Sequence, residues 1–193
     1  MARIPLDHPR TPLVRLAEAY SRRTYGQVLE PGLAMLHNRR VLTAMVANEN
    51  KIARWRTVDD TTKALAVLAA AAEIGCSWCL DFGYWESSNR GVDPAKLRSI
   101  NEWQTAPIYS DDERAAIGYA VAMTQTPPEV SDEMVADLRR RFSDAQLVEL
   151  TAIIAQENNR SRINLAFGLT SQGFRDSCDL PSPATGSAEA GRR

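Results

Sequence analysis

The sequence predicts an all-α protein, and three observations support that prediction. Apolar residues recur with helical spacing along nearly the whole chain, and no stretch alternates between apolar and polar residues for long enough to require a strand. Residues that cap helices stand directly before several of these apolar runs. The composition is globular, with 44% hydrophobic and 24% charged residues among 193, a length that suits one domain.

The N-terminal part predicts two helical regions and then a buried helix. The first region has Pro12 in its first turn and ends near Gly26, and the second covers residues 32–36 and 41–55 with a break between them. Residues 63–74 follow an acidic N-cap and are apolar on most faces, which is typical of a buried helix. Because one small chain cannot easily cover such a helix, we expect a homo-oligomer.

Helix signals continue through the C-terminal half. Two capping boxes, one at Ser110 and Glu113 and one at Ser143 and Gln146, each indicate a helix start. A single helical domain therefore covers residues 1–179, and residues 180–193 form a polar tail that we expect to be disordered. The predicted helices here are residues 79–90, 95–103, 114–124 and 133–142, with a last helix from residue 144 onwards.

Charge and hydropathy exclude several classes of partner. A formal net charge of −1 gives no electrostatic reason to expect nucleic acid or an anionic membrane. The longest apolar stretch, residues 64–72, is too short to cross a bilayer, and the N-terminus lacks the apolar core of a signal peptide. We therefore expect a cytoplasmic protein with no membrane partner.

Cys76 and Cys79 are the residues best suited to chemistry. They are separated by two residues, so on a helix they lie about one turn apart and can form a disulfide. In a reducing compartment such a pair indicates catalysis or metal binding more than a scaffold. A helix that begins at Gly75 or Cys76 would favour the thiolate, which attacks a peroxide or a disulfide while the second cysteine resolves the product. Trp78, between the two, could restrict water and shape substrate entry.

Other interpretations of the pair remain open. Both cysteines could be small buried hydrophobic residues, as free cysteines often are. A zinc site needs about four ligands, and only Cys178, His8 and His37 are left to supply them, so we expect no metal and no cofactor. A thioredoxin-like site would need a strand before the pair, and the sequence shows none.

The residues around the pair resemble a known family. The run from Ala64 to Asn89, with Glu73-Ile74-Gly75-Cys76-Ser77-Trp78-Cys79-Leu80-Asp81-Phe82 inside it, is similar to the AhpD-like, carboxymuconolactone decarboxylase family. The later run from Phe142 to Leu150, continuing through Glu157-Asn158-Asn159-Arg160 to Gly168, is similar as well. Together the two runs cover much of residues 30–175 in the family's order.

The resemblance implies an oligomeric, AhpD-like multi-helix bundle and a function. It implies a thiol-dependent antioxidant oxidoreductase that reduces alkyl hydroperoxides or disulfides and takes electrons from a dithiol donor. In the family, the position of Cys79 is thought to meet peroxide and that of Cys76 to resolve. The position of Cys76 at a helix terminus, taken alone, favours Cys76 as the more acidic thiol. This argument disagrees with the roles that the resemblance implies.

Two positions depart from the family's peroxidase pattern. The pattern has a His where this chain has Gly83 and a Glu where it has Ala64, and these two groups form the proton relay that activates the thiol. Glu73 and Asp81 are possible substitutes, although a solvated or capping carboxylate is the favoured interpretation of each. A non-catalytic scaffold or ligand-binding protein is therefore the main alternative. A cofactor-free decarboxylase is less favoured, because the chain lacks its expected His.

The remaining polar residues give weaker signals. His8 and His37 are interpreted as surface or hydrogen-bonded structural residues, and Cys178 as a thiol near the tail. The cluster from Asn158 to Asn164 is unusually polar for a helix. We interpret it as hydrogen bonding at a subunit contact, with pocket lining as the alternative.

Overall fold

A computed structural model describes residues 2–178, and within them it contains nine α-helices and no strand. The all-α prediction is therefore confirmed. The predicted tail from residue 180 lies outside the described residues. The helices are α1 (Pro12–Tyr25), α2 (Glu30–Met35), α3 (Arg39–Ile52), α4 (Asp60–Ile74), α5 (Ser77–Asn89), α6 (Pro94–Arg98), α7 (Asp111–Thr124), α8 (Asp132–Arg141) and α9 (Asp144–Ala166), with 3₁₀ turns at Ile100–Glu102 and Arg175–Ser177.

Local capping chemistry explains most helix starts. Both predicted capping boxes form: the Ser110 hydroxyl accepts the Glu113 N–H while the Glu113 carboxylate accepts the Ser110 N–H, and Ser143 and Gln146 repeat the arrangement. Asn38 lies in the predicted break, and its side chain caps α3 by accepting two backbone N–H groups. The helix therefore begins at Arg39, two residues earlier than predicted.

Helix α4 lies at the centre of the chain. Its buried residues include Leu65 and Leu68, and it packs against α5, α7 and α9. These three helices of the same chain cover its apolar faces, so the apolar character of α4 does not by itself require a second subunit. The burial of α4 therefore no longer supports the expectation of a homo-oligomer, and any support must come from the outer surface of the chain.

The C-terminal half contains the longest helix and one correction. Helix α9 has 23 residues and lies along α4 and α7, and its C-terminal half reaches α5. The predicted helix over residues 95–103 is too long, because α6 ends at Arg98 and the chain continues as a 3₁₀ turn. None of the helices between residues 2 and 178 has the length and hydropathy needed to cross a bilayer.

Candidate functional site

Cys76 and Cys79 lie where α4 gives way to α5. Gly75 ends α4 in the left-handed conformation, with φ of 81°, which a residue without a Cβ adopts readily. This turn places Cys76 at the N-cap of α5 and Cys79 in its first turn. Their Cα atoms are 5.3 Å apart and their sulfurs form a disulfide. The structure therefore pairs the two cysteines, at the start of a helix rather than within one.

Each sulfur of the disulfide accepts a hydrogen bond. The backbone N–H of Cys79 donates to Sγ of Cys76 at 3.2 Å, and the Asn164 side-chain amide donates to Sγ of Cys79 at 3.3 Å. Cys76 is completely buried, whereas 7% of the Cys79 surface is accessible. Both cysteines are therefore buried, and Cys79 is the slightly more accessible of the two.

Aromatic rings surround the disulfide on the side of α1 and α5. Trp78 stacks on Phe82 with their ring centroids 5.0 Å apart, and Phe174 stands edge-on to Phe82 at 5.3 Å. Trp85 and Tyr25 extend the cluster at 5.6 Å and 5.7 Å from Phe82. Burial raises the pKa of Tyr25 above its ordinary value, so its phenol stays protonated. Any substrate that reaches Cys79 would meet an apolar, aromatic surface.

Residues 171–178, the C-terminal strap, lie over this cluster and are held by one carboxylate. Asp81 accepts the backbone N–H groups of Gln172, Phe174 and Arg175 at 2.8, 3.1 and 2.8 Å. Burial acts to raise the pKa of Asp81, but these N–H groups and the Ser171 side chain outweigh it and hold the pKa below its ordinary value. Asp81 is therefore a capping carboxylate and not a base poised at neutral pH, as the favoured interpretation predicted.

Gln172 ties the strap to the cysteine motif and to the N-terminal helices. Its side-chain oxygen accepts the Trp78 indole N–H at 2.7 Å and the Glu30 backbone N–H at 3.1 Å, and its amide donates to the Val28 carbonyl at 3.0 Å. With Phe174 only 2% exposed, the strap closes the aromatic cluster. The strap therefore covers one side of the cluster beside the cysteines.

The two relay positions of the family pattern, at Ala64 on α4 and Gly83 on α5, hold no acid or base in this chain. Ala64 and Gly83 have no ionisable group, and a Cβ added at Gly83 would lie 3.0 Å from Cδ2 of Leu68. Glu73 accepts a hydrogen bond from Gln125 at an exposed position. It is thus a surface carboxylate, as its favoured interpretation predicted.

The two histidines pack against each other and bond to backbone carbonyls. His8 Nε2 lies 2.7 Å from the Leu33 carbonyl oxygen and His37 Nε2 2.8 Å from that of Pro5, with the rings 4.5 Å apart. This agrees with the predicted hydrogen-bonded role. Within residues 2–178, no group of three or more His, Cys, Asp and Glu side chains is arranged to hold a metal ion.

The polar cluster on α9 divides into two parts. Arg160 pairs with Glu49 of α3 and with Glu157, and Asn158 donates to Thr124 of α7, so these residues join helices within one chain. Asn164 reaches the disulfide and is a site residue. For this residue the subunit-contact interpretation is wrong, because Asn164 is buried and its hydrogen bond lies within one chain, beside the cysteine pair. The unusual polarity of this part of α9 was the sequence signal for a site residue, but it does not identify the partner, Cys79, which lies 85 positions away.

Comparison with known proteins identifies the family. The model of the carboxymuconolactone decarboxylase family matches residues 39–122, which include the disulfide. YnjA of Escherichia coli (strain K12), an uncharacterized protein, is 30% identical over 174 residues, which is 89% of this chain and 94% of YnjA. The chain belongs to the carboxymuconolactone decarboxylase family.

Solved structures with this fold include a protein of unknown function and a debrominase. A putative antioxidant defence protein AhpD from Agrobacterium tumefaciens has a TM-score of 0.67 and 26% identity, over 71% of this chain and 94% of its own. A variant of the debrominase Bmp8, solved in complex with 2,3,4-tribromopyrrole, has a TM-score of 0.79 and 20% identity, over 92% and 97%. The predicted AhpD-like bundle is confirmed. At 20% identity the debrominase shows the fold alone.

Proposed function

We propose that this member of the carboxymuconolactone decarboxylase family is a thiol-dependent oxidoreductase that reduces hydroperoxides. The observation that carries the proposal is the disulfide between Cys76 and Cys79, at the start of α5 and beside a closed aromatic cluster. Two thiols that can form a disulfide without backbone rearrangement can also transfer two electrons to a substrate. The cytoplasmic location and the dithiol donor are part of the same proposal.

The proposed cycle balances with these two sulfurs. The Cys79 thiolate attacks one peroxide oxygen, the O–O bond breaks, and the leaving alkoxide takes up the proton that the thiol released, giving an alcohol and a Cys79 sulfenic acid. The Cys76 thiol then attacks that sulfur and releases water as the disulfide forms. An external dithiol reduces the disulfide and becomes a disulfide itself. The greater exposure of Cys79 supports its role as the attacking cysteine.

The assay is consumption of an organic hydroperoxide by the full chain with dithiothreitol as the donor. We expect Cys79→Ser to reduce turnover to that of the buffer, and Cys178→Ser, the matched control, to leave turnover unchanged. In Cys76→Ser, Cys79 should accumulate as a sulfenic acid that dimedone traps. Turnover that persists in Cys79→Ser would place the chemistry elsewhere. A disulfide that cycles while no peroxide is consumed would favour the scaffold or ligand-binding alternative.

Reductive dehalogenation is a second candidate, favoured by the aromatic cluster. Five rings, those of Tyr25, Trp78, Phe82, Trp85 and Phe174, offer a stacking surface for a flat heterocycle beside the disulfide. Bmp8, whose fold this chain shares, is a debrominase seen with 2,3,4-tribromopyrrole. In such a reaction the two thiols become a disulfide, a carbon–bromine bond becomes carbon–hydrogen, and bromide and a proton leave.

The two candidates are separated with one protein preparation. Bromide release from tribromopyrrole and consumption of hydroperoxide are measured with the same thiol donor and the same enzyme concentration. Thiol-dependent bromide release without peroxide turnover would replace the first candidate by the second. Phe82→Leu should weaken binding of the heterocycle more than it slows turnover of a small alkyl hydroperoxide.

A further inference from the structure

Helix α9 carries a row of buried polar side chains that ends at the disulfide. Glu157, Ser161 and Asn164 are spaced so that they share one face of the helix, and they are 3%, 0% and 3% exposed. Ser161 donates to the Glu157 carboxylate at 2.7 Å, and Asn164 donates to Cys79. Buried polar groups cost free energy unless they are bonded, and only Asn164 among the three is bonded to a reacting atom of the proposed cycle.

The bond from Asn164 changes in strength when the disulfide opens. In the disulfide, the amide N–H donates to a neutral sulfur at 3.3 Å. Once the pair is reduced and Cys79 loses its proton, the same N–H donates to a thiolate. A hydrogen bond to a charged group is considerably stronger than one between neutral groups, and it favours the charged form.

The two cysteines compete for the thiolate form. Cys76 has the advantage of position, because it is the N-cap of α5 and its sulfur accepts the Cys79 backbone N–H. Cys79 has the amide of Asn164 instead. The backbone donor cannot be removed without breaking the helix start, whereas the donor to Cys79 is a side chain. Of these two donors, only the side-chain amide of Asn164 can therefore be removed by substitution.

We propose that Asn164 is a catalytic residue of this site, whose side-chain amide selects Cys79 as the reactive thiolate. The inference rests on the proposed thiol function and names the group that stands in for the absent His and Glu of the family pattern. Asn164 does so by stabilising the thiolate and not by accepting its proton. The proton itself leaves to solvent or to the substrate's leaving alkoxide.

The position of Asn164 is fixed by the end of α9. Its backbone carbonyl accepts the Leu169 N–H at 2.9 Å, and the Arg3 guanidinium donates to the carbonyls of Leu165 and Ala166 at 3.0 and 3.2 Å. The N-terminal segment therefore caps the last turn of α9. A side chain held in this way needs little reorganisation when Cys79 becomes charged.

The test compares how fast each cysteine is alkylated, with no peroxide present. Reduced protein on a Cys178→Ser background is treated with limiting iodoacetamide between about pH 6 and 10, a range that spans the ordinary thiol pKa, and mass spectrometry of the peptides reports the modified cysteine. In the otherwise unchanged chain we expect Cys79 to react first. In Asn164→Leu and Asn164→Asp the midpoint pH for Cys79 should rise by about 1–2 units, and its rate at about pH 7 should fall by roughly tenfold or more.

The preference for Cys79 over Cys76 should also narrow in both Asn164 variants, because Cys79 loses its donor while Cys76 keeps its own and stays buried. Asn158→Leu is the matched control, since Asn158 is an amide on the same helix that donates to Thr124 and not to sulfur. It should leave both midpoints unchanged. Circular dichroism shows whether each variant is folded, and the two Asn164 variants differ enough in size and charge that one result checks the other.

Two results would overturn the inference. One is faster alkylation of Cys76 in the unsubstituted pair, and the other is an unchanged Cys79 midpoint in folded Asn164 variants. Alkylation is independent of the natural substrate. A shifted midpoint without peroxide turnover would therefore support the role of Asn164 while contradicting the peroxidase proposal. Peroxide turnover with an unchanged midpoint would support the peroxidase proposal and contradict the role of Asn164.

Discussion

Leu68 of α4 fills the space beside Gly83 of α5. A Cβ at position 83 would lie 3.0 Å from Cδ2 of Leu68, which is closer than side chains normally approach a Cβ. Leu68 is 2% exposed, so it is enclosed by its neighbours. The two helices therefore pack through a glycine at the position where the family's peroxidase pattern has a histidine, and Leu68 lies one turn after Ala64, the other relay position.

The first prediction concerns restoring the family's relay. The sequence alone suggests that Ala64→Glu with Gly83→His should raise peroxide turnover, but the packing of Leu68 opposes it. We expect the double variant to lose about 1–3 kcal/mol of stability through overpacking and to gain no activity. Adding Leu68→Ala should make room for the imidazole and raise turnover by about 10²-fold, the lower end of what acid–base assistance contributes.

Urea titration and hydroperoxide assays of both variants test this prediction. Gly83→Ala is the control, because it introduces the clash without the imidazole and should destabilise without changing turnover. A gain in turnover by the double variant alone would show that α4 and α5 separate more easily than their packing implies.

The second prediction concerns the carboxylate that holds the strap. Asp81→Asn removes the charge that accepts three backbone N–H groups. Hydrogen bonds to charged groups contribute about 1.5–3 kcal/mol, so losing part of this set should release the strap. Dithiothreitol should then reduce the disulfide about tenfold faster, as measured by tryptophan fluorescence in stopped flow.

Asp93→Asn is the control for strap release, since Asp93 accepts one backbone N–H at an exposed helix start. It should not change the reduction rate. Because the pKa of Asp81 is held below its ordinary value, its contribution is complete above about pH 4 and is lost as the pH falls through the lower folded pKa. An equal reduction rate in Asp81→Asn would mean that the strap does not limit access.

Local interactions explain what the sequence could predict. The capping boxes at Ser110 and Ser143, and the N-caps at Asp59 and Ser131, involve partners three residues away, so the helix starts followed from short patterns. The cysteine pair was recognised for the same reason. Its disulfide joins residues only three positions apart.

Contacts between distant segments explain what the sequence could not predict. The amide of Asn164 meets Cys79 across 85 positions, and Asp81 binds Phe174 across 93. Nothing in either local pattern indicates the partner, because helix packing decides which faces meet. The same holds for Leu68 beside Gly83, where the sequence shows a missing histidine but not the side chain that occupies its place.

The third prediction concerns the buried Glu157. Burial raises its pKa to about 7, against the opposing effect of Arg160 and the Ser161 hydroxyl, while Glu49 adds to the increase. Between about pH 4.5 and 7, Glu157 keeps its proton in the folded state and has lost it in the unfolded state. The free energy of unfolding therefore falls as the pH rises through that window. The decrease is about 3 kcal/mol when complete.

Glu157→Gln should remove this part of the pH dependence. The free energy of unfolding from urea titrations at about pH 5 and about pH 7.5 would then differ less in the variant than in the original chain. Glu149→Gln is the control, since that buried carboxylate accepts the Thr57 and Val58 N–H groups and its pKa is lowered, so it contributes no loss in this window. An unchanged pH dependence in Glu157→Gln would show that Glu157 is ionised throughout.

The last prediction is a homo-oligomer formed through the outer surface of α1. Leu16 and Tyr20 stand one turn apart on this helix and are 69% and 63% exposed, although both are large and apolar. Val41 and Val46 of α3 are also exposed, at 44% and 50%. Large apolar side chains grouped on a helix face are typical of surfaces that another protein covers, and a second copy is always available at the same concentration.

Multi-angle light scattering at micromolar concentration should therefore return at least a dimer mass. Leu16→Glu with Tyr20→Glu should shift that mass towards the monomer, while Val148→Glu, at a 69% exposed position of α9, should not. A monomer mass for the original chain would contradict the prediction, and an unchanged oligomer in the double variant would move the interface away from α1.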